Sequence, residues 1–353
     1  MTKENYLEPR KIAIIGDRFM KTEIFKEHLE KTCGNNHLFK ELELPWPDEP
    51  MEHGYEKPGM AGLKEYMGDP DEIVRFIADS EIVVDHLAPF SAKMFDRLKD
   101  LRLIAVSRGG PVNIDMEAAR KSNVKVVNVP GRNASAVAEF TIGAILAETR
   151  LIRMGHESLR KGTWRGDLYR ADVTGKELSQ MTVGLIGYGH IGTRVVKLLK
   201  PFGCQIVVCD PYVELSEEDK ENDVQQVDLD SLLNKSDVVS LHSRVTKETT
   251  GFINREAFQK MKKGAYFINT ARGPMVDYQA LTDALTSGHL RGAMLETFGI
   301  EPVPPDWPLL KLENVTLTPH IAGASLRTVE YAAEQAAEEV QRYLSGKSPL
   351  NPC

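Results

Sequence analysis

Apolar runs of four to six residues alternate with helically spaced segments along most of the chain. Lys11 to Ile15 reads as a strand and Lys21 to Leu29 as a helix, whereas Leu42 to Gly62, with several prolines and glycines, reads as an irregular loop. Asp71 to Ala78 has helical spacing, Glu81 to Asp85 reads as a strand, Ser91 to Leu98 as a helix and Leu101 to Val106 as a strand. A turn from Ser107 to Pro111 then leads to a helix, Met116 to Ser122, and a strand, Val124 to Asn128. Strands alternating with helices in this way predict a parallel sheet covered on its faces.

The pattern changes at Ala134 to Arg160, a long helical segment in which the first domain boundary is placed. Gly162 to Ser179 is polar and punctuated. Strands are then expected at Thr182 to Ile186, Gln205 to Cys209, Asp237 to His242, Ala265 to Asn269, Gly292 to Glu296 and Asn314 to Leu317. Helices are expected at Thr193 to Leu199, Leu229 to Asn234, Glu256 to Met261 and Asp277 to Ser287. A last helix, Leu326 to Leu344, comes after the second unit is closed and is expected to return to the first. The predicted fold is α/β with two doubly wound domains: a discontinuous one, residues 1–145 and 324–353, and a central one, residues 146–323, with a cleft between them.

The central domain opens on Gly187-Tyr188-Gly189-His190-Ile191-Gly192 between a strand and a helix, and Asp210 closes the next strand roughly twenty residues on. In that context the GxGxxG turn predicts dinucleotide binding. Gly187 permits the tight turn, Gly189 lets backbone approach a pyrophosphate, and Gly192 lets the helix pack close to its strand. The pyrophosphate would meet free N–H groups at the helix N-terminus. Asp210 can accept hydrogen bonds from the adenosine ribose hydroxyls and would repel a 2′-phosphate, so NAD is expected rather than NADP; its alternative is a turn residue before Pro211.

Composition narrows the setting. With 353 residues there is room for two cores, and the charged fraction of 27% and hydrophobic fraction of 42% are those of an ordinary globular protein. A net charge of −7 argues against general nucleic-acid affinity. No run approaches the roughly 20 apolar residues of a membrane span, and Ile12 to Ile15 is too short for a secretion signal, so a cytoplasmic protein is expected. Cys33, Cys204, Cys209 and Cys353 are scattered, not spaced as metal pairs, and are expected as reduced thiols.

Three polar residues follow predicted strands at the edge where an open sheet meets its ligand: Arg272, Glu301 and His320. Hydride transfer to nicotinamide from a hydroxy acid needs a base for the hydroxyl proton, a carboxylate to orient that base, and a fixed cation for the anionic substrate. With Val137-Ala138-Glu139-Phe140-Thr141, the glycine turn, Val238-Val239-Ser240-Leu241-His242, Asn269-Thr270-Ala271-Arg272-Gly273, Glu301-Pro302 and Thr318-Pro319-His320-Ile321-Ala322-Gly323 in order, the chain resembles the D-2-hydroxyacid dehydrogenase family from about Leu101 to Leu350.

That resemblance implies a Rossmann NAD-binding domain inserted in a flavodoxin-like substrate domain, and an enzyme for a small (R)-2-hydroxy or 2-keto acid. Arg272 would bind the α-carboxylate, His320 would be the general acid/base, and Glu301 would hold His320 and favour its imidazolium. The cofactor would meet Tyr188, Gly189, His190, Ile191, Asp210, Pro211, His242, Thr249, Thr270, Ala271, Arg272, Glu296, His320 and Gly323. The substrate would meet Arg272, His320, His86 and the backbone of Gly109 and Gly110, a pair that reads equally as a plain strand-to-helix turn. Arg108 and Arg170 either line the cleft or are structural. The family's usual dimer interface falls on Ala134 to Arg160 and its surroundings, so a homodimer is expected.

The chain departs from the family pattern at Glu296, usually Asp, at Ser243-Arg244, usually an apolar residue and proline, and at His86-Leu87, where phosphoglycerate enzymes carry an Arg-Ser type pair. The last departure weakens the case for a phosphorylated substrate. The sequence stops at Cys353, so the C-terminal regulatory domain of the longer phosphoglycerate enzymes is not expected. A rival of another class is a redox-sensing corepressor of the same fold, which typically adds an extended tail. Among enzymes, a hydroxypyruvate or glyoxylate reductase competes with a phosphoglycerate or sugar-acid dehydrogenase.

Overall fold

The stretch Ile12 to Ile15 is continuously apolar because both faces of its strand are covered, Ile12 and Ile14 entering one core and Ala13 and Ile15 the other. It belongs to the first of two compact units, residues 1–132 with 325–353, the second being residues 133–324. The computed structural model describes residues 8–46, 60 and 62–353.

The first unit begins with β1 (Lys11–Asp17), α1 (Thr22–Cys33), β2 (Leu38–Leu44), α2 (Pro70–Ile77), β3 (Ile82–Asp85), α3 (Ala92–Phe95), β4 (Leu103–Val106), α4 (Met116–Lys121) and β5 (Lys125–Val127). Its five strands are all parallel in the order β2-β1-β3-β4-β5, the flavodoxin-like order. Local chemistry sets the helix starts: Asp69 accepts the Glu72 amide at 2.9 Å ahead of Pro70, and Asp115 accepts the Ala118 amide at 2.9 Å.

The second unit comprises α5 (Ala134–Thr149), α6 (Ile152–Arg160), β6 (Thr182–Ile186), α7 (Gly192–Leu199), β7 (Gln205–Cys209), α8 (Glu217–Glu221), β8 (Gln225–Gln226) and α9 (Leu229–Lys235). It continues with β9 (Val238–Leu241), α10 (Arg255–Lys260), β10 (Ala265–Asn269), α11 (Tyr278–Thr286), β11 (Leu290–Leu295) and β12 (Val315–Leu317). Its sheet is parallel throughout, in the order β12-β11-β10-β9-β6-β7-β8. Val183 and Leu185 face a core with Val195, Val196 and Leu199 of α7, while Val239 and Leu241 face one built with Leu232, Phe258 and Leu281. The final helix, α12 (Leu326–Leu344), returns to the first unit, where Ala332, Ala333, Ala336 and Ala337 pack with Phe25 and Leu29 of α1.

Three expectations need correction. Leu42 to Leu44 are not loop but the end of β2, an edge strand whose Lys40, Glu41 and Glu43 mask the period; residues 47–59 of that expected loop lie outside the described residues. The long helix is two, because Leu151 takes a left-handed conformation (φ 56°) between α5 and α6. The first division falls at Arg132/Asn133, ahead of this segment and not within it, since Ala138, Ala144 and Ile145 are buried in the second unit's core. The short elements α8 and β8 were not anticipated, and no helix among the described residues is long and apolar enough to cross a membrane.

The alanine face of α12 leaves no space for larger side chains. Ala336→Leu is expected to destabilise by about 1–3 kcal/mol, read as a lower urea midpoint, whereas the exposed change Glu330→Ala should stay within about 0.5 kcal/mol of wild type.

Candidate active site

Because every strand of the second sheet is parallel, all carboxyl ends share one edge. Ile186 pairs with Cys209 on one side and Leu241 on the other, so the residues that follow these three strands emerge together. The chain winds away in opposite directions from β6, and ligands of such sheets bind at that switch point.

The three glycines of the turn answer to different constraints. Gly187 has φ 105°, and a Cβ there would lie 2.8 Å from the His242 carbonyl carbon. A Cβ on Gly192 would collide with the Gly187 carbonyl. At Gly189 a Cβ would meet nothing within 4 Å, so no protein atom requires this glycine. Its exposed backbone leaves space where a pyrophosphate can come close, and the site therefore fits a dinucleotide. Asp210 is fixed beside it: one carboxylate oxygen accepts the Tyr188 amide at 2.8 Å, the other the Tyr212 and Val213 amides at 2.9 and 3.1 Å. Tyr188 itself is buried, with its hydroxyl on Asp219. His190 is exposed, Ile191 precedes the first turn of α7, and Pro211 is exposed next to Asp210.

His242 is buried, with Nε2 2.9 Å from the Ser240 hydroxyl and no partner for Nδ1 among the described residues; burial pushes its pKa down to about 3, so the ring is neutral. Thr249 pins the following loop, its hydroxyl donating to the Arg244 carbonyl at 2.7 Å while Arg244 is exposed. After β10, the Thr270 hydroxyl lies 2.8 Å from that of Thr141 and the Ala271 amide donates to the Asn269 side chain at 3.0 Å. Gly323 lies against the Asn133 side chain, leaving no space for a Cβ.

Glu301 and His320 meet. His320 Nδ1 lies 2.8 Å from one Glu301 carboxylate oxygen, and the other accepts the Phe298 amide at 2.7 Å. His320 has φ 53°, and its amide donates to the carbonyls of Glu296 and Thr318 at 3.1 and 3.0 Å. Arg272 is exposed on the neighbouring turn, where its guanidinium donates only to the Ala271 carbonyl, 2.7 Å away, and has no carboxylate partner among the described residues. Gly273 brings that turn onto the Phe298-Gly299 backbone, a contact any Cβ would prevent. Glu296 is 1% exposed, and its carboxylate accepts from the Thr318 hydroxyl and the Ala322 amide, tying down the His320 loop; burial raises its pKa.

In the first unit, His86 is buried with Nδ1 2.5 Å from Asp17 at the carboxyl ends of β3 and β1. Burial pushes the imidazole pKa down to about 4, while Asp17 stays below its ordinary value because bonds from His86, Met20 and Phe19 outweigh its own burial. Neutral His86 therefore donates its Nδ1 proton to ionised Asp17. Gly109 and Gly110 have neither positive φ nor close packing, and neither amide has a partner among the described residues. Arg108 is held by Glu65, and Arg170, in the second unit, forms an exposed ion pair with Asp172 at 2.5 Å. The sequence reading gave no role to Thr318, Asp17, Asp85 or Arg132. Asp17 and Asp85 close their strands as Asp210 follows β7, so the same strand-end rule would have found them, whereas Arg132 lies between predicted elements.

The profile of the D-isomer specific 2-hydroxyacid dehydrogenase NAD-binding domain matches residues 142–322. The chain is 40% identical over 287 residues to the glyoxylate reductase of Thermofilum pendens, covering 81% of this chain and 85% of that one. It is 36% identical over 280 residues to the hydroxypyruvate reductase of Thermotoga maritima, covering 78% and 89%. Among solved structures, D-2-hydroxyisocaproate dehydrogenase superposes with a TM-score of 0.81 at 27% identity, over 97% of this chain and 99% of that one. The chain belongs to the D-isomer specific 2-hydroxyacid dehydrogenase family. It is an NAD-dependent oxidoreductase with a Rossmann domain, as the motif order implied.

The contrast between the glycines is testable. Gly189→Ala should leave the melting midpoint almost unchanged yet weaken NADH binding, measured by fluorescence titration, about tenfold or more, whereas Gly192→Ala should lower the midpoint. Equal NADH affinity in Gly189→Ala and wild type would remove the pyrophosphate from this turn.

Proposed function

We propose that the chain interconverts a small 2-keto acid and its (R)-2-hydroxy acid, with His320 as acid/base, Glu301 orienting it and Arg272 anchoring the substrate carboxylate. The observation that carries this reading is the imidazole–carboxylate pair at the ligand edge of the cofactor-binding sheet, with Arg272, which has no carboxylate partner among the described residues, on the neighbouring turn. Bound NADH supplies a hydride to C2. Glu301 meets the Nδ1 side of His320, and Nε2 donates a proton to the C2 oxygen and in oxidation receives the hydroxyl proton. Arg272 offers a planar fork to both carboxylate oxygens, each charge-assisted bond contributing about 1.5–3 kcal/mol. Gly109 and Gly110 are read as additional amide donors to the acid, supported by N–H groups that have no partner among the described residues. Glu296 acts by fixing the backbone of the His320 loop, whatever it offers the nicotinamide amide.

His320→Gln is expected to cut kcat by about 10²–10⁴ with little change in NADH affinity. Arg272→Met should act on kcat/KM by about 10² or more, largely through KM. The assay is NADH oxidation with glyoxylate, hydroxypyruvate and a panel of longer 2-keto acids; either variant turning over its best acid within threefold of wild type would refute the assignment.

We also read the protein as a cytoplasmic homodimer. Supporting this, all four cysteines are free, and Ile152, Leu159, Trp164 and Tyr169 are large apolar side chains left exposed within and just after α6. Sedimentation at micromolar concentration should give twice the chain mass, and Ile152→Asp with Trp164→Asp should give the monomer; a monomeric wild type would refute the dimer.

A further inference from the structure

The loop that leaves β7 is shaped by two side chains. Asp210 accepts the Tyr212 and Val213 amides on one carboxylate oxygen, at 2.9 and 3.1 Å, and the Tyr188 amide on the other, at 2.8 Å. Gln226 reaches the same loop from the short strand β8, where it pairs with Val208 just ahead of Asp210. Its Nε2 donates to the Asp210 and Val213 carbonyls at 2.9 and 3.0 Å, and its Oε1 accepts the Leu215 amide at 3.3 Å. Among the described residues, the hydrogen bonds to residues 211–215 all come from these two side chains. Both ends of the loop are anchored by other means. Tyr188, on the glycine turn, fixes Asp210 through its amide, and its hydroxyl reaches Asp219, which pairs with Lys200 at 2.6 Å. What Gln226 adds is the shape of the stretch between them.

We propose that Gln226 is a positioning residue for cofactor choice: by shaping residues 211–215 it keeps the Tyr212 and Val213 amides on Asp210, which aims the carboxylate at ribose hydroxyls and denies those amides to a 2′-phosphate. The inference rests on the reading of Asp210 as the ribose acceptor. Backbone amides on an exposed turn are good phosphate donors, and a carboxylate that occupies them both removes the donors and presents a like charge. Without the Gln226 bonds, the Tyr188 amide is the one donor that still fixes Asp210, so its carboxylate turns more freely and the loop amides are released. The first effect weakens NADH binding through lost pre-organisation, and the second favours NADPH.

The test is fluorescence titration of the full chain with NADH and NADPH, and competition by ADP-ribose, which keeps the adenosine half without the nicotinamide. In Gln226→Met, similar in length but unable to make these bonds, NADH and ADP-ribose affinities should each fall by about threefold to tenfold, NADPH affinity should hold or rise, and the preference for NADH should drop by about fivefold or more. Gln226→Asn, which keeps the amide on a shorter side chain, should lie between, and Gln225→Ala, at the exposed neighbouring position of β8, should match wild type. Gln226 is itself exposed, so its variants should keep the wild-type melting midpoint, which separates lost binding from lost folding. A preference within about twofold of wild type in Gln226→Met, equal losses on NADH and NADPH, or undiminished ADP-ribose affinity would overturn the proposal. Asp210→Ala tests the reading beneath it and should abolish the preference. If it does so while Gln226→Met does not, the positioning role falls alone; a preference that survives Asp210→Ala overturns both.

Discussion

Two backbone-on-backbone contacts organise the site of the second unit: Gly187 against the His242 carbonyl, and Gly273 against Phe298 and Gly299. The first brings the β6 and β9 ends together, so the dinucleotide turn forms where the sheet changes winding direction. The second places the Arg272 turn on the loop from which Glu301 reaches His320. A methyl group at either position would separate these segments, so geometry here depends on what is absent from the side chains. Tyr278 reinforces the second contact, its hydroxyl donating to the Thr297 carbonyl at 3.0 Å and its ring packing against Trp307 at a tilt of 58°.

Much of this was legible because parallel strands covered on both faces are written as unbroken apolar runs, and because ligand-binding residues come just after them. Arg272, Glu301 and His320 follow β10, β11 and β12 in that way. Other features left no trace in the period. β2 is an edge strand whose charged residues hide its alternation, and the break at Leu151 comes without glycine or proline. The use of both Glu296 oxygens by Thr318 and Ala322 is a tertiary event, since the partners lie more than twenty residues away. Sequence alone identified the carboxylate, but not that it holds the His320 loop.

The first unit follows another logic, in which charge is buried at a cost to stability. Asp85 accepts from the Ala88 amide and from Asn113, yet complete burial raises its pKa to about 8, so it is neutral at pH 7. A carboxyl raised in this way contributes stability that is fully present below its unfolded value of about 3.9 and is lost as pH rises through about 8. His86 runs in the opposite sense: its folded pKa of about 4 lies below the unfolded value of about 6.5, so its contribution is present above that value and is lost as pH falls through about 4. Between these limits both groups are neutral, so neither adds charge to the edge of this sheet.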